Sequence, residues 1–530
     1  MKSKSLLDVA WRALPCLVSA VLPVAACTVS SAGPGASDAG GAGDASGDAA
    51  TDSPNPDGGV DAGGDATACT GSNVLPAYIT QNTTLTAACS PYEAPQPVLV
   101  GDATNHPVLT IEPGVTIEFA SGAYLSIGMA QTSAAPGGLQ AVGTTSSPIV
   151  FTSDASSPAP GSWGGIYFNP DADPKSALSY ASVMYAGQQY APLTNSPVVL
   201  GSVYVDAGSA SPLSGSPQLH VRLAHVTLAH EGGSGFVFFG PFAGFAPGSG
   251  QLTIADWAAG GYPIVIDGNA ADTIPATLTT GTGKQGAVGI VQEVANSSSG
   301  GQVVIVHDET WPALPIPYEV DESDWNGVGQ CGVTIDGTSA NATVTLTIAA
   351  PNTIEVGKPP TGGPCGFYVS TSAGYGRIVA SGTANAGITF TSAQANPAPG
   401  DWGGITVFAD PTTGSWGSTA FAYCTFSYAA AATFPSMAGD GTCLTSGTST
   451  CGPSELYFNG GSGCMGAAGP SVSGPPVSHC TFTGYAACGV DGLDLLNEST
   501  TYGSGTTGAN GNTFTPASGN TLGVCTQKNC

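Results

Sequence analysis

The feature that most constrains this chain is an internal duplication. Residues 143–166 recur as residues 382–405, a displacement of 239 positions, with 14 identities in 24 aligned residues. The shared stretch includes Phe-Thr-Ser, Pro-Ala-Pro-Gly and Trp-Gly-Gly-Ile, so that Trp163 corresponds to Trp402. Similarity continues downstream, where His225 corresponds to His479. Self-similarity of this kind indicates a fold made of stacked repeats that was built by copying one half into two.

Within each copy the local pattern is one of short strands. Residues 109–111, 115–119 and 149–151 alternate apolar and polar side chains, and Gly, Pro, Asn or Ser separates such segments every few residues. Strands this short bury too little surface alone, whereas stacked coils cover one another. The sequence therefore predicts an all-β solenoid. A pair of antiparallel β-sandwiches is the alternative architecture.

The repeated motifs resemble those of bacterial right-handed parallel β-helix proteins with the pectin-lyase-like fold. The resemblance rests on residues 109–117, on Ile-x-Phe-Thr-Ser and on Gly-x-Trp-Gly-Gly-Ile, and it covers most of residues 100–235 and 344–515. It implies a right-handed parallel β-helix solenoid, internally duplicated. It does not identify a substrate, because this fold hosts lyases, hydrolases and adhesins.

The N-terminal segment predicts the localisation of the protein. A basic start precedes an apolar stretch, residues 13–26, that is too short for a comfortable transmembrane helix. It ends in Val-Ala-Ala before Cys27, which resembles the lipobox of bacterial lipoproteins. That resemblance implies a signal peptide over residues 1–26, diacylation of Cys27 and attachment to a membrane through the lipid. Thr28 favours the outer membrane or cell surface. Ordinary secretory cleavage is the alternative.

Composition divides the remaining chain. Residues 27–68 are mostly Ala, Gly, Ser and Asp, a composition that predicts a disordered tether. We place β-helix copy one at residues 69–250, a connecting segment at 251–343 and copy two at 344–530. Whether the connecting segment continues the solenoid or separates two shorter ones is open.

The cysteine content agrees with export. Of 14 cysteines, twelve remain when the signal peptide and the lipidated residue are set aside, and eight of these lie within residues 424–530. An even number in an exported chain predicts disulfides, with a disulfide-rich C-terminal end. Proximity suggests the pairs Cys69–Cys89 and Cys331–Cys365. The other pairings are open.

The charge balance excludes one class of partner. The chain has 9 basic and 36 acidic residues and a formal net charge of -27. Nucleic-acid binding is therefore not expected, since phosphate neutralisation requires a basic face. Flat sheets lined with Thr, Ser and Asn suit carbohydrate or another surface polymer. The leading hypothesis is a surface-displayed binding or structural scaffold without a catalytic site or cofactor.

The competing hypothesis is a polysaccharide lyase or glycoside hydrolase that acts on the outer face of copy one. Alternation along one strand places His220 and Arg222 on the same outward face. Tyr204 and Asp206 would lie near them if their strand belongs to the preceding coil. Such a set would supply acid–base chemistry. The second copy lacks counterparts of Asp206, His220 and Arg222, which is compatible with function and equally with drift.

Two further features have alternative interpretations. Asp321, Glu322 and Asp324 lie in the densest acidic run, and their carboxylates suit calcium. The run lacks the alternating spacing of a calcium loop, so a solvated loop is the default interpretation. Trp163 and Trp402 are able to stack on sugars, but their repetition within a Gly-rich turn favours a structural corner.

Overall fold

The structure of the chain is a computed structural model that describes most of the residues from 69 to 527. The described residues are 69, 71–128, 135–188, 201–208, 219–240, 242–281, 286–291, 303–320, 332–337, 343–358, 365–369, 375–409, 416–429, 454–459, 472–473, 476–485, 488–493, 495–496, 503–504, 507–515, 517 and 524–527. The predicted tether and Cys27 lie outside them. No helix in the described part is both long enough and apolar enough to span a membrane.

The described residues form short β-strands and two 3-10 helices, Ala87–Cys89 and Gly268–Thr273. The strands of the first part are β1 Tyr78–Ile79, β2 Thr83–Leu85, β3 Tyr92–Ala94, β4 Val98–Val100, β5 Val108–Ile111, β6 Thr116–Phe119, β7 Leu125–Ile127, β8 Gly138–Val142, β9 Ile149–Ser153, β10 Ile166–Phe168, β11 Ala177–Met184, β12 Gly201–Asp206, β13 Leu219–Ala229 and β14 Ser234–Phe239. Those of the middle are β15 Ala243–Phe245, β16 Leu252–Ile254, β17 Ile264–Ile266, β18 Leu278–Thr280, β19 Val288–Ile290, β20 Val303–Ile305, β21 Glu309–Trp311, β22 Tyr318–Val320, β23 Gly332–Ile335, β24 Thr343–Ile348, β25 Asn352–Val356, β26 Gly366–Val369 and β27 Tyr375–Ser381. The last are β28 Ile388–Ser392, β29 Ile405–Phe408, β30 Ala420–Ala422, β31 Cys424–Ser427, β32 Ser454–Asn459, β33 Val472–Ser473, β34 Val477–Ser478, β35 Thr481–Thr483, β36 Cys488–Leu493, β37 Leu495–Leu496, β38 Gly503–Ser504, β39 Thr507–Gly508, β40 Thr513–Thr515 and β41 Val524–Gln527.

These strands stack as a parallel β-helix. One side is a 16-stranded sheet that contains β1, β4, β7, β10 and β12 at one end and β28, β31, β35 and β40 at the other. Its pairs are parallel except where β38 and β39 join it. An 11-stranded sheet flanks it in the first half, and seven- and five-stranded sheets flank it in the second. The sandwich alternative is wrong, because sandwiches require antiparallel pairing.

The connecting segment continues the same stack. Strand β17 pairs with β19, β19 pairs with β22, and β22 pairs with β25, all in parallel register. The 16-stranded sheet therefore passes from the first copy into the second without a break in pairing. This answers the question that the sequence left open, since residues of the connecting segment belong to one solenoid with both copies.

A single apolar core fills the solenoid, and inward side chains of successive rungs stack on one another. Phe390, Phe426, Phe482 and Phe514 form such a ladder, with ring centroids 5.1, 5.0 and 5.0 Å apart. These spacings match the roughly 4.8 Å separation of neighbouring strands. The ladder therefore holds the rungs of the second copy in close register.

The two repeated tryptophans are structural corners, as predicted. Trp163 and Trp402 are fully buried. The indole Nε1 of Trp163 donates to the carbonyl of Met184 at 2.8 Å, and that of Trp402 donates to the carbonyl of Ser427 at 2.9 Å. Neither ring is available to a sugar.

The second copy is turned about the solenoid axis by one side relative to the first. In the first copy β9, β11 and β13 belong to the 11-stranded sheet, whereas their sequence counterparts β28, β31 and β35 belong to the 16-stranded sheet. In the same way β10 and β12 belong to the 16-stranded sheet, and their counterparts β29 and β32 to the seven-stranded sheet. Equivalent strands of the two copies therefore lie on different sides of the body.

The cysteines are only partly as expected. Cys69 and Cys89 form a disulfide, which confirms the predicted pair. Cys365 is also disulfide-bonded, and its predicted partner Cys331 lies outside the described residues. Cys424 and Cys480 are free thiols in the core, on the paired strands β31 and β35. In the first copy the same positions hold apolar Ala and Val, so these cysteines fill core space.

Candidate functional site

The clearest candidate surface in the first half of the solenoid is a row of hydroxyl side chains that spans the end of the first copy and the start of the connecting segment, and we call it the first hydroxyl face. Ser182, Thr227, Thr253 and Thr279 occupy aligned outward positions on β11, β13, β16 and β18. The inward neighbours of these residues are apolar except for the half-buried Thr280, and the hydroxyl side chains range from half-buried to exposed. The face follows from strand alternation, since every second side chain of a strand points away from the core.

Strands β28, β31, β35 and β40 of the second copy carry two such rows, which together form the second hydroxyl face. One row is Thr389, Thr425, Thr481 and Thr513, and the other is Thr391, Ser427, Thr483 and Thr515. Ser427 is buried, whereas the other seven residues are half-buried or exposed. Neighbouring hydroxyls touch along the rows. The Oγ atoms of Ser427 and Thr391 lie 2.9 Å apart, and the Oγ1 atoms of Thr481 and Thr513 lie 3.0 Å apart.

The array has a defined lattice. Rungs are separated by roughly 4.8 Å, and alternate residues of one strand by roughly 6.6 Å. The Phe ladder beneath the second face fixes the first of these spacings. The result is a regular set of hydroxyl groups, those of the threonines beside a methyl group, that bear no formal charge. The neighbouring rung holds Glu355 opposite Thr391.

An aromatic stack borders each hydroxyl face. The rings of Tyr180 and His225 are parallel with centroids 4.0 Å apart, and those of Tyr423 and His479 lie 4.5 Å apart. All four residues have positive φ, between 47° and 55°. This conformation is unfavourable for side chains of this size, at about 1–2 kcal/mol each. Both copies nevertheless keep a ring stack at the bend where the chain enters the hydroxyl strand.

Two cavities adjoin these surfaces. One of about 580 Å³ lies over the first hydroxyl face and is lined by His225, Thr227, Gln251, Thr253, Thr277, Leu278 and Thr279. The other, of about 440 Å³, includes Thr353 and two carboxylates, Glu319 and Glu355, on adjacent rungs. The hydroxyl of Tyr262 donates to Glu319 Oε1 at 3.2 Å. Burial raises the pKa of Glu355 above its ordinary value.

The structure does not bring the four predicted catalytic residues together. His220 and Arg222 do face outward together from β13, as alternation predicted. Tyr204 and Asp206 lie on β12, which pairs with β10 and β14 in the 16-stranded sheet and not with β13. The predicted adjacency is wrong, because successive strands of one coil belong to different sheets.

The surroundings of these residues differ accordingly. Tyr204 is buried in a small cluster outside the main core, with its ring 5.9 Å from that of Tyr167. Asp206 accepts from the Gly208 amide at 2.6 Å, and burial raises its pKa to about 6. Burial lowers the pKa of His220, against a smaller opposing effect of Asp272. Arg222 is exposed. A catalytic role of any of them stays a prediction.

The predicted calcium ligands Asp321, Glu322 and Asp324 lie outside the described residues. Within the part of the chain that is described, no group of three or more His, Cys, Asp or Glu side chains is arranged to hold a metal ion. Glu319 and Glu355 form a pair, and the Tyr262 hydroxyl already occupies one oxygen of Glu319.

Sequence reasoning expected outward threonines but did not find the two hydroxyl faces. The signal in the sequence is the recurrence of Thr-Phe-Thr or Thr-Phe-Ser at residues 389–391, 425–427, 481–483 and 513–515. The intervals between these segments are unequal, which hides the period. The Glu319 and Glu355 pair was also missed, because the two residues are separated in sequence and meet only through rung pairing.

Comparison with known proteins supports the architecture. Two segments, residues 77–192 and 333–429, match the model of a family described as pectate-lyase like beta helix domain. No curated protein and no solved structure matches the chain. The first matched segment lies in the first copy, and the second begins at the end of the connecting segment and continues into the second copy. This likeness supports a carbohydrate-related scaffold or enzyme.

Proposed function

We propose that this chain is an exported lipoprotein, displayed at the outer membrane or cell surface, whose β-helix binds a carbohydrate polymer without modifying it. The observation that carries the proposal is the pair of regular hydroxyl faces. Each presents methyl and hydroxyl groups at fixed spacing on a rigid sheet, so that a polymer meets a pre-ordered surface and little side-chain entropy is lost on binding.

The chemistry of the faces favours a neutral polymer. The residues of both rows of the second face carry no formal charge, and the chain as a whole has a net charge of -27. An acidic polysaccharide would be repelled over the distance at which charges are felt in physiological salt, about 8 Å. The ring stacks beside the faces add apolar surface with polar edges, which suits the faces and hydroxyls of sugar rings.

The test is sedimentation with insoluble polysaccharides, with microcrystalline cellulose and chitin as neutral probes and calcium polygalacturonate gel as the acidic one. The variant Thr227→Val/Thr253→Val/Thr481→Val/Thr513→Val removes four hydroxyls and keeps the β-branched shape. We expect at least tenfold weaker binding, since each hydrogen bond contributes about 1 kcal/mol. Thr347→Val, a half-buried outward threonine in another sheet, is the matched control. Wild-type protein that sediments with no probe would refute the proposal.

The enzyme hypothesis is tested on the same samples. A lyase would release unsaturated products that absorb in the ultraviolet, and a hydrolase would release reducing ends. We expect neither. Activity that disappears in Arg222→Ala, with folding intact, would favour the enzyme. A purely structural envelope component would show neither binding nor turnover.

The lipid anchor is a separate part of the proposal and has its own test. It is supported by the sequence before Cys27, which resembles a lipobox. In a bacterial host, wild-type protein should incorporate a clickable palmitate analogue and fractionate with membranes. Cys27→Ala should do neither. Equal labelling of the two proteins would refute lipidation at this residue.

A further inference from the structure

The two hydroxyl faces lie on different sides of the solenoid. The first belongs to the 11-stranded sheet, through β11, β13, β16 and β18, and the second to the 16-stranded sheet, through β28, β31, β35 and β40. At the level of the first face, the 16-stranded sheet presents a different row, which includes Tyr167, Tyr204, Val237 and Val265. The hydroxyl surface thus changes sides between the copies.

This arrangement results from the one-side turn between the copies and not from unrelated sequences. Ser182 and Thr227 correspond to Thr425 and Thr481. Each of these four residues lies two positions after a residue with positive φ. The chain therefore contains one kind of binding surface twice, in two directions. A rigid polymer that lies flat on one face cannot reach the other.

Two hydroxyl faces on different sides of the solenoid differ in geometry from one continuous binding site. Two identical faces on one side, end to end, would hold one chain over twice the length. Each face here spans four rungs, which is roughly 14 Å along the axis at the usual strand separation. The two faces are joined by the unbroken pairing of β17, β19, β22 and β25, so their relative direction is fixed by the sheet itself.

We propose that the protein is a bivalent cross-linker, which holds two separate chains or fibrils of a neutral polysaccharide on its two hydroxyl faces. This inference rests on the proposed carbohydrate-binding function and adds to it the number of ligands and their separation. Rigidity is what makes the bridge effective, since two sites on one stiff body cannot both close on the same fibril surface.

The test uses the full mature chain with cellulose and chitin nanocrystals in separate arms, and it measures both bound protein and nanocrystal aggregation by light scattering. Wild-type protein should bind and should aggregate the nanocrystals at intermediate protein concentration, with aggregation falling again in excess. Thr227→Val/Thr253→Val leaves only the second face, and Thr481→Val/Thr513→Val only the first. Each variant should keep binding while aggregation falls at least tenfold.

The outcomes separate this inference from the function on which it rests. Binding without aggregation by wild-type protein would overturn the cross-linker and leave the binding proposal standing. Aggregation that persists in both single-face variants, for example through self-association of the chain, would also overturn it. Absence of binding to both nanocrystals would overturn the two proposals together. Thr347→Val should behave as wild type in both measurements, and circular dichroism reports the fold of every variant.

Discussion

Glu231 offers a direct test of how a buried carboxyl group is held in this solenoid. The side chain is 2% exposed. The Ser202 hydroxyl donates to Glu231 Oε2, and the Ala229 amide donates to Oε1 at 3.0 Å. Burial raises the pKa of Glu231 to about 8, the hydrogen bonds lower it, and the nearby Asp256 carboxylate adds a smaller increase. Glu231 is therefore protonated at neutral pH.

The sign of the effect on stability follows from proton binding. The pKa of Glu231 is near 4.5 in the unfolded chain and about 8 in the folded one. Between these values the folded state holds a proton that the unfolded state has released. The free energy of unfolding therefore falls as pH rises through this window, is undiminished below it and levels off above it. A shift of this size corresponds to roughly 5 kcal/mol, of which roughly 4 kcal/mol falls between pH 5 and pH 8.5.

Glu231→Gln isolates this contribution, because glutamine has the same shape and remains neutral. We expect the wild-type free energy of unfolding, from urea titrations at pH 5 and pH 8.5, to fall by roughly 4 kcal/mol more than that of the variant. Other buried carboxyls, including Glu309 and Asp267, titrate equally in both proteins. Hydrogen exchange of the Ala229 backbone amide, which donates to Glu231, should show the same difference in pH dependence between the two proteins. Parallel pH profiles of the two proteins would refute the reasoning.

Two further substitutions probe the packing of the rungs. Gly137→Ala should lower the free energy of unfolding by several kcal/mol or prevent folding, because a Cβ at this position would lie 2.1 Å from the Val100 carbonyl oxygen. Gly71→Ala should leave the free energy of unfolding unchanged, because a Cβ there would have no atom within 4 Å. Equal denaturant midpoints for the two variants would contradict the rung spacing. Phe426→Ala should lower the free energy of unfolding by about 3–5 kcal/mol, since it opens a cavity in the middle of the Phe ladder. If Phe514→Ala, at the end of the ladder, lowered it more than Phe426→Ala, that result would argue against the stack.

The sequence predicted the rungs well because their pattern is local. The expected strands at residues 109–111 and 149–151 are observed as Val108–Ile111 and Ile149–Ser153. Alternation of apolar and polar residues decides which side chains enter the core, and it correctly placed His220 and Arg222 outside. The duplication then showed that the rungs repeat.

What the sequence could not supply is which strand lies above which. Tyr204 was expected near His220, but their strands lie in different sheets. The side on which a strand falls depends on how many strands and corners precede it in its coil, and these vary in length. The one-side turn between the copies has the same origin. Alignment of the two copies matches their strands, but it does not show how many sides of the solenoid separate one matched strand from the other.

A buried carboxyl at one corner shows what such a comparison of copies adds. Ser202 and Glu231 of the first copy correspond to Glu455 and Tyr485 of the second. Ser202 and Glu455 occupy equivalent positions on β12 and β32, whereas Glu231 and Tyr485 occupy equivalent positions just beyond β13 and β35, so the acid and the hydroxyl residue have exchanged places. Glu455 is fully buried, and burial raises the pKa of Tyr485, with a smaller contribution from the neighbouring Glu455. Position by position these look like unrelated substitutions, whereas as a pair the acid and the hydroxyl have exchanged the strand position and the position beyond the next strand.

The exchange predicts a coupled pair of effects. Ser202→Glu alone places a second carboxyl beside Glu231 in a buried site and should cost at least about 3 kcal/mol. The double variant Ser202→Glu/Glu231→Tyr reproduces the second copy's arrangement and should recover much of that loss. A double-mutant cycle from urea titrations measures the coupling, which should be favourable by 1 kcal/mol or more. Additive effects would mean that the two positions tolerate their residues independently, and that the exchange of acid and hydroxyl between the copies does not reflect a shared requirement of the corner.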